Sequence, residues 1–295
     1  MAGPFPPLVL FATNGRFSAA VLEGLIGGGL IPRVLVLPGQ AGTFYEQPAC
    51  AAGSTAELAR RRGIPLIHLP PHAPESAVER VSELRPVLGI MACFPRPLPM
   101  AVADLPPWGT LNIHPSRLPL YRGPAPLFWQ LRDGVERLHV SLHRVVPELD
   151  AGDVVARETG PLPMGAGGAA LDRRLVALGV TGLLGLLAAH PDGAFSDERQ
   201  DPAAATRQPW PAPPDFAVDA SRSARRAYTF MTGCGDWRQP FRVRGAGDLL
   251  LSRAVSFRDT GALGMPWRPA GDTVLVQCAP GILRAVPEPP RAGAR

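Results

Sequence analysis

Short apolar runs alternate with helical spacings through the first two thirds of the chain. Leu8–Ala12 is an apolar run of the buried-strand type, and Thr13-Asn14-Gly15 follows it as a turn. Apolar residues then recur at helical spacing over 17–26, and a second apolar run covers 33–37. A strand, a helix and a strand in this order form a βαβ unit, which predicts a parallel sheet.

The same alternation continues as far as residue 189. Further helices are predicted at 56–62, 76–84, 126–131 and 169–189. Further strands are predicted at 65–69, 87–93, 110–114, 139–144 and 153–158. This order predicts an α/β fold built on a Rossmann-like parallel sheet with helices packed against it.

The pattern changes after residue 200. Residues 201–214 are rich in proline and show little periodicity, which is typical of a semi-rigid linker. A short basic helix is predicted next, at 220–231. It is followed by strands that are separated by glycines, at 242–243, 248–256 and 273–278. We therefore expect a first domain at 1–193 and a linker at 194–214. A small β-rich domain at 215–287 and a polar tail at 288–295 are expected to follow.

Composition narrows the class of protein. The chain has 295 residues, 46% of them hydrophobic, and its apolar stretches are too short to span a bilayer. The amino terminus lacks the basic region of a signal peptide, so a cytoplasmic protein is expected. The cysteines are scattered, at Cys50, Cys93, Cys234 and Cys278. This spacing favours neither structural zinc nor a disulfide framework.

The charge of the chain is carried by arginine alone. The formal net charge is +5, and no lysine occurs anywhere in the sequence. Catalysis by a Schiff-base or general-base lysine is therefore excluded. A mild excess of positive charge is compatible with a polyanionic partner without demonstrating one.

One group of residues carries specific chemistry. Asn112 and His114 are two apart on a predicted strand, so their side chains leave the same face, and Pro115 ends the strand at a sheet edge. Asp150 follows after a predicted helix and a returning strand, which can bring it back beside them in a parallel α/β unit. Each residue taken singly is more often structural, as a turn cap or a core histidine. Only the joint pattern favours catalysis.

The three groups suit acyl transfer to an amine without a metal or a covalent intermediate. Asn112 can donate to the developing oxyanion, and His114, if protonated, can donate a second hydrogen bond. Asp150 would keep His114 charged and take the amine proton. Ser116 is a weaker candidate as a nucleophile, because it lacks a G-x-S-x-G elbow and follows a proline.

The motif around these residues resembles that of a known family. The string Asn-x-His-Pro-Ser-x-Leu-Pro-x-Tyr-Arg-Gly-x-Ala-Pro from Asn112, with Leu-Asp-Ala-Gly-Asp from Leu149, is similar to the signature of the 10-formyltetrahydrofolate-dependent formyltransferases. The layout is closest to that of the methionyl-tRNA formyltransferases. The resemblance implies that Asn112, His114 and Asp150 are catalytic, that the formyl donor is 10-formyltetrahydrofolate and that the acceptor is a primary amine.

The resemblance also implies two sets of binding residues. The folate co-substrate is expected to contact Met91, Ala92, Cys93, Phe94, Pro95, Leu98, Ser116, Leu118 and Pro119. The acceptor is expected to contact Thr13, Asn14, Tyr121, Arg122, Gly123, Phe128 and Trp129. No metal is expected at the site, and a monomer is favoured.

Two acceptors remain open. Initiator methionyl-transfer RNA is favoured by the second domain, which resembles an OB-like β-barrel and could track a phosphate backbone with Arg222, Arg225, Arg226, Arg242 and Arg244. These arginines could equally well only solvate a surface. A small amine, such as a nucleotide-linked amino sugar, is favoured by a loop at 38–47 without Arg or Lys, by Phe128-Trp129 and by Leu142-His143-Arg144. Hydrolysis of the formyl donor and another amine acceptor are less favoured. A non-enzymatic RNA- or folate-binding role is disfavoured because an inactive relic would be expected to lose one of Asn112, His114 and Asp150.

Overall fold

The computed structural model describes residues 5–39, 54–70 and 75–289. Most of the loop predicted at 38–47 therefore lies outside the described residues. The chain forms two compact units. The first comprises Met1–Pro126, Arg137–Pro161 and Asp172–Gln208, and the second comprises Leu127–Glu136, Leu162–Leu171 and Pro209–Arg295.

A seven-stranded sheet is the centre of the first unit. Its strands are β1 Leu8–Ala12, β2 Val34–Pro38, β3 Leu66–Leu69, β4 Leu88–Ala92, β5 Thr110–His114, β6 Arg137–Arg144 and β7 Val154–Pro161. Their order is β3-β2-β1-β4-β5-β6-β7. The first five strands are parallel, as predicted. β6 and β7 are antiparallel to their neighbours, so the prediction of a parallel sheet is wrong for these two strands.

The strand order reverses between β1 and β4, which are hydrogen-bonded neighbours. In open α/β sheets the carboxyl ends of the strands at such a reversal form the usual binding crevice. The turns after β1 and β4 are tied together, because the Ser18 hydroxyl donates to the Ala92 carbonyl at 2.9 Å and accepts from the Thr13 backbone N–H. The residues that follow these two strands are thus held at one edge.

Helices precede or follow most of these strands. They are α1 Arg16–Gly27, α2 Thr55–Arg61, α3 Glu75–Glu83, α4 Met100–Ala103, α5 Pro126–Asp133 and α6 Gly168–Ala189. α2 starts at a Ser54 cap, whose hydroxyl accepts from the Glu57 N–H at 3.2 Å. α4 is a single turn of four residues, too short to leave a periodic pattern, and it was not predicted. In the described residues, none of the helices combines the length and the apolar character that crossing a membrane requires.

The second unit contains a six-stranded sheet and one further helix. Its elements are β8 Ala217–Asp219, α7 Ala224–Gly233, β9 Phe241–Arg244, β10 Leu250–Arg258, β11 Trp267–Ala270, β12 Thr273–Gln277 and β13 Ile282–Pro287. The order β11-β12-β13-β10-β9-β8 leaves β11 and β8 as edge strands, so the strands described do not close into a barrel. The helix predicted at 220–231 begins later because Ser223 caps it, with its hydroxyl accepting from the Arg226 N–H.

Candidate active site

β5 presents two polar side chains on one face. Asn112 and His114 are both buried, 6% and 4% exposed. Ile113, between them, points to the other face because successive side chains of a strand alternate. The carboxyl end of β5 therefore offers an amide and an imidazole side by side.

β6 adds a second imidazole, which the sequence analysis did not assign to the site. His143 lies directly opposite Asn112 in the antiparallel register. Its Nε2 atom is 3.0 Å from Asn112 Nδ2. The alternation of β6 is visible in the sequence, but it identifies His143 only once the direction of the strand is known.

Asp150 reaches the same cluster from the segment between β6 and β7. Its φ of +56° lies in the left-handed region, which residues other than glycine seldom adopt. The carboxylate accepts from the Gly123 N–H at 2.8 Å and, through its other oxygen, from Asn112 Nδ2 at 3.4 Å. The structure thus brings Asn112, His114 and Asp150 together.

Each imidazole is oriented by a backbone carbonyl. His114 donates from Nε2 to the Tyr121 carbonyl at 3.1 Å, and His143 donates from Nδ1 to the Arg144 carbonyl at 2.9 Å. A carbonyl can only accept, so the protons on these nitrogens are assigned. The opposite ring nitrogens, His114 Nδ1 and His143 Nε2, both lie 3.6 Å from Asp150 Oδ1.

Burial and charge act on this cluster in opposite directions. Burial by itself raises the pKa of Asp150, but the neighbouring imidazoles, His114 foremost, and the Gly123 N–H together hold that pKa well below its usual range. Burial lowers the pKa of His114 below its ordinary 6.5, against the opposing effect of the Asp150 carboxylate. We therefore assign an ionised Asp150 and a neutral His114 near pH 7. The expectation that the free site holds His114 protonated is not met.

Gly123 fixes the Asp150 carboxylate. Its φ is +120°, and a Cβ atom at this position would lie 2.1 Å from the Gln208 carbonyl oxygen. Residues 122 and 208 are hydrogen-bonded there, since the Gln208 N–H donates to the Arg122 carbonyl at 2.8 Å. The close approach of these two segments leaves room only for glycine.

The polar groups of the turn between Asn112 and Gly123 form hydrogen bonds within the protein. The Ser116 hydroxyl donates to the Leu120 carbonyl at 2.8 Å, and both Ser116 and Leu118 are fully or almost fully buried. The Leu118 N–H is taken by the Ser141 hydroxyl at 3.1 Å. Pro119 is half-buried. Three folate contacts are predicted in this turn. Two of them, Ser116 and Leu118, are buried and stabilise the turn itself.

A small groove of the first unit has Asp150 and His143 in its lining. It is lined by Met91, Arg96, Pro97, Leu98, His143, Val145, Val146, Pro147, Leu149 and Asp150. Two of the predicted folate contacts, Met91 and Leu98, belong to this lining. The lining combines apolar side chains with Arg96, His143 and Asp150, and small-molecule sites usually combine a mostly apolar wall with a few polar groups.

The other predicted folate contacts surround the end of β4. Ala92 is buried in the strand, and Cys93 follows it with a φ of +54°. Burial raises the pKa of the Cys93 thiol to about 12, so it is unreactive at neutral pH. Phe94 stacks edge-on against Phe11 of the core at a centroid distance of 6.4 Å, and Pro95 is half-buried beside it in sequence.

The predicted acceptor contacts fall into two groups. In the first unit, Thr13 and Asn14 follow β1, and Asn14 Oδ1 accepts from the Ala56 N–H at 3.1 Å. Gly123 contacts the Asp150 carboxylate, the Tyr121 carbonyl contacts His114, and Arg122 lies between them in the sequence. Tyr121 has a φ of +60°.

Phe128 and Trp129 belong instead to the second unit. Phe128 is 2% exposed and packs against the rings of Phe216, Phe230 and Trp237, with centroids 4.9, 5.4 and 5.6 Å away. The Trp129 indole N–H donates to the Pro209 carbonyl at 2.9 Å. Both rings are occupied by packing within that unit.

A metal ion could find three donors in the cluster. His114, His143 and Asp150 each offer a ligand atom, and these atoms lie within 4.8 Å of one another. Two imidazoles and one carboxylate suit several divalent transition metals. However, His143 Nε2 already accepts from the Asn112 amide, so a metal would have to displace that hydrogen bond.

The comparisons with known proteins agree on one family. The family model described as formyl transferase matches residues 8–184. The chain is similar to the methionyl-tRNA formyltransferase of Roseiflexus castenholzii, with 30% identity over 78% of this chain and 73% of that protein. It is also similar to the methionyl-tRNA formyltransferase of Pseudomonas paraeruginosa, with 28% identity over 94% of this chain and 89% of that protein.

Among solved structures, the fold resembles an N-formyltransferase from Helicobacter canadensis in complex with folinic acid and dTDP-3-aminofucose. The TM-score is 0.66 at 12% identity, over 95% of this chain and 98% of that one. At this identity the likeness concerns the fold.

Proposed function

Because the chain belongs to the formyl transferase family, we propose that it transfers a formyl group from 10-formyltetrahydrofolate to the α-amine of initiator methionyl-transfer RNA. The observation that carries this proposal is the buried convergence of Asn112, His114 and Asp150 at the carboxyl end of β5. The names of the two methionyl-tRNA formyltransferases above support the acceptor.

The proposed reaction exchanges one nitrogen for another on the formyl carbon. The acceptor amine attacks this carbon, the bond between the carbon and N10 of the folate breaks, and one proton passes from the amine to N10. The Asn112 amide donates to the oxyanion that forms on the formyl oxygen. Asp150 and His114, with His114 Nδ1 3.6 Å from the carboxylate, share the proton released by the amine.

The donor is proposed to bind in the groove whose lining includes Asp150. Met91 and Leu98 would pack against the face of the pterin ring, and Asp150 and His143 in the lining would keep N10 near the reacting groups. The chemistry needs no metal ion. A loss of activity on chelation that zinc reverses would contradict this part of the proposal and point to His114, His143 and Asp150 as ligands.

A second candidate acceptor is a nucleotide-linked amino sugar. It is supported by the strand Leu142-His143-Arg144, which resembles that of sugar-amine formyltransferases, and by the fold shared with the Helicobacter canadensis enzyme. Phe128 and Trp129 no longer favour this acceptor, since their rings pack inside the second unit.

We further propose that the second unit is a partly open, OB-like sheet that contacts the transfer RNA, although its described strands do not close into a barrel. β10 is long and has two register shifts against β13, and such bulges curve a sheet towards closure. Three of the five arginines proposed to follow the phosphates, Arg222, Arg225 and Arg242, already have carboxylate partners. Arg226 donates to the Arg132 carbonyl. Exposed Arg244 is the best remaining phosphate ligand of the five.

One experiment separates the two acceptors. The protein is incubated with formyl-labelled 10-formyltetrahydrofolate and either methionyl-transfer RNA or a panel of nucleotide-linked amino sugars. We expect label on the methionyl-transfer RNA. Label on a sugar would replace the acceptor but keep the reaction, whereas label on neither, with free formate released, would overturn the transfer itself.

A further inference from the structure

Gln200 is a buried amide that no part of the proposed mechanism uses. It is 4% exposed. It lies within the stretch for which the sequence predicts a linker. In the structure this stretch pairs with the first unit, because residues 154 and 198 exchange two backbone hydrogen bonds of 2.8 Å. The residue is thus held at both ends, by this bridge and by the pairing of residues 206–208 with the 121–123 turn.

The side chain of Gln200 makes four hydrogen bonds. Its Nε2 atom donates to the Asp150 carbonyl at 2.9 Å and to the Gly152 carbonyl at 2.7 Å. Its Oε1 atom accepts from Nε and Nη2 of Arg122, at 3.2 and 2.9 Å. Carbonyls only accept and a guanidinium only donates, so the orientation of the amide is fixed. Its two N–H groups and both lone pairs of its oxygen are used.

These four bonds join the two segments that place the Asp150 carboxylate. On one side Gln200 holds the backbone of Asp150 itself, which has its left-handed φ of +56°. A Cβ atom on Gly152 would lie 2.0 Å from the Arg144 carbonyl oxygen, so this turn is also tightly confined. On the other side Gln200 holds Arg122, the residue before Gly123, whose N–H donates to the Asp150 carboxylate.

We propose that Gln200 is a positioning residue that sets the distance between the Asp150 carboxylate and His114. The proposal rests on the proposed function for its catalytic meaning. Gln200 touches no reacting atom and acts through the backbone of Asp150 and through Arg122. A buried primary amide serves this purpose because it can donate to two carbonyls and accept from one guanidinium at once.

Two variants distinguish the hydrogen bonds that Gln200 donates to the Asp150 and Gly152 carbonyls from those that it accepts from Arg122. Gln200→Met keeps the length of the side chain and removes all four hydrogen bonds. Gln200→Glu keeps the acceptors for Arg122 but turns a carboxylate oxygen towards the Asp150 and Gly152 carbonyls. Gln239→Glu, at an exposed position of the second unit, is the matched control for the added charge.

The decisive measurements are kinetic and spectroscopic. In Gln200→Met we expect kcat per folded molecule to fall about 100-fold, with little change in KM for donor or acceptor, because only the geometry of Asp150 is disturbed. In Gln200→Glu we expect a similar loss of kcat, since the bonds to Asp150 and Gly152 are the ones removed. Gln239→Glu is expected to match the wild type.

The titration of His114 gives a readout that does not depend on turnover. The Asp150 carboxylate raises the pKa of His114, so a displaced carboxylate should lower the imidazole pKa measured by NMR in Gln200→Met relative to the wild type. If kcat and the His114 titration both stay at wild-type values while only the melting temperature falls, Gln200 is merely structural and the inference is overturned. If the wild type transfers no formyl group, the proposed function fails, and the NMR titration still decides whether Gln200 positions Asp150.

Discussion

The polar groups of the two units are organised in different ways. In the first unit Asn112, His114, His143 and Asp150 are buried, and each is held by at least two neighbours. In the second unit several arginines form single pairs with exposed carboxylates, such as Arg225 with Asp259 and Arg242 with Asp248. Removing one partner of a buried hydrogen bond costs much stability, because the other partner is left without water. Exposed ion pairs contribute little to stability. The difference predicts a steep gradient in the effect of substitutions.

The largest effect is expected from Asp150→Asn. This change keeps the size of the side chain but removes the charge that supports proton transfer. Formyl transfer should fall about 1,000-fold or more in kcat, with the fold intact by circular dichroism. Asp192→Asn, at an exposed aspartate of the same unit, is the control and should retain wild-type activity. Near-normal turnover in Asp150→Asn would remove Asp150 from the mechanism.

The next largest effect is expected at Gly123, where the 121–123 turn pairs with residues 206–208. Gly123→Ala introduces a Cβ atom that meets the Gln208 carbonyl at a left-handed φ. We expect a loss of about 2–4 kcal/mol in the free energy of unfolding, measured by urea denaturation, together with reduced kcat. Gly185→Ala in α6 is the control, because nothing lies within 4 Å of its Cβ position. It should be neutral or stabilising by up to about 1 kcal/mol. Equal losses in both variants would show that the pairing does not confine Gly123.

A smaller effect is expected in the pH dependence of stability. The folded-state pKa of His114 lies below 6.5, so the unfolded chain binds the proton more readily. The stability that comes from the neutral imidazole is therefore complete above pH 6.5 and is lost as the pH falls through the lowered pKa. His114→Gln should flatten the stability profile below pH 6.5, as measured by the melting temperature from pH 7.5 to 4.5. A stability that rises on acidification in the wild type would contradict the assigned neutral state.

The smallest effect is expected at Arg225. Its guanidinium already faces the Asp259 carboxylate at 2.6 Å, so Arg225→Gln should leave the melting temperature and the KM for transfer RNA unchanged. Arg244→Gln is the matched arginine variant on the same unit. It should raise this KM and reduce the slope of log KM against log salt concentration by about one. Identical salt slopes for both variants and the wild type would argue against a transfer-RNA surface at Arg244.

The sequence predicted one part of this architecture well. The apolar runs of β1, β2 and β4 follow from hydrophobic pattern alone, because both faces of a parallel strand are buried. The pairing of Asn112 with His114 on one face follows from the same pattern. The direction of β6 could not be predicted, since a connection long enough for a parallel crossover also permits an antiparallel return.

Other features depend on contacts between distant residues. Gln200 lies 50 residues from Asp150 in a proline-rich stretch, and no local pattern marks it as buried. β13 was missed because the chain from residue 282 combines apolar residues with arginine, glutamate and proline. The left-handed backbone at Asp150 is compatible with an aspartate but is not specified by that residue type. In each case the conformation or burial of the residue depends on tertiary contacts, because local propensity does not specify it.

The pairing of residues 206–208 with the 121–123 turn has a consequence for where a working fragment can end. The family model ends at residue 184, before the end of α6 at Ala189, and a fragment cut there would lack Gln200, Thr206 and Gln208. The catalytic side chains would all be present, but the backbone of Asp150 and the 121–123 turn would have lost the contacts that these later residues make. During synthesis, likewise, the site cannot be complete until residue 208 has left the ribosome. The smallest active piece of this protein is therefore expected to extend about two dozen residues beyond the segment that identifies its family.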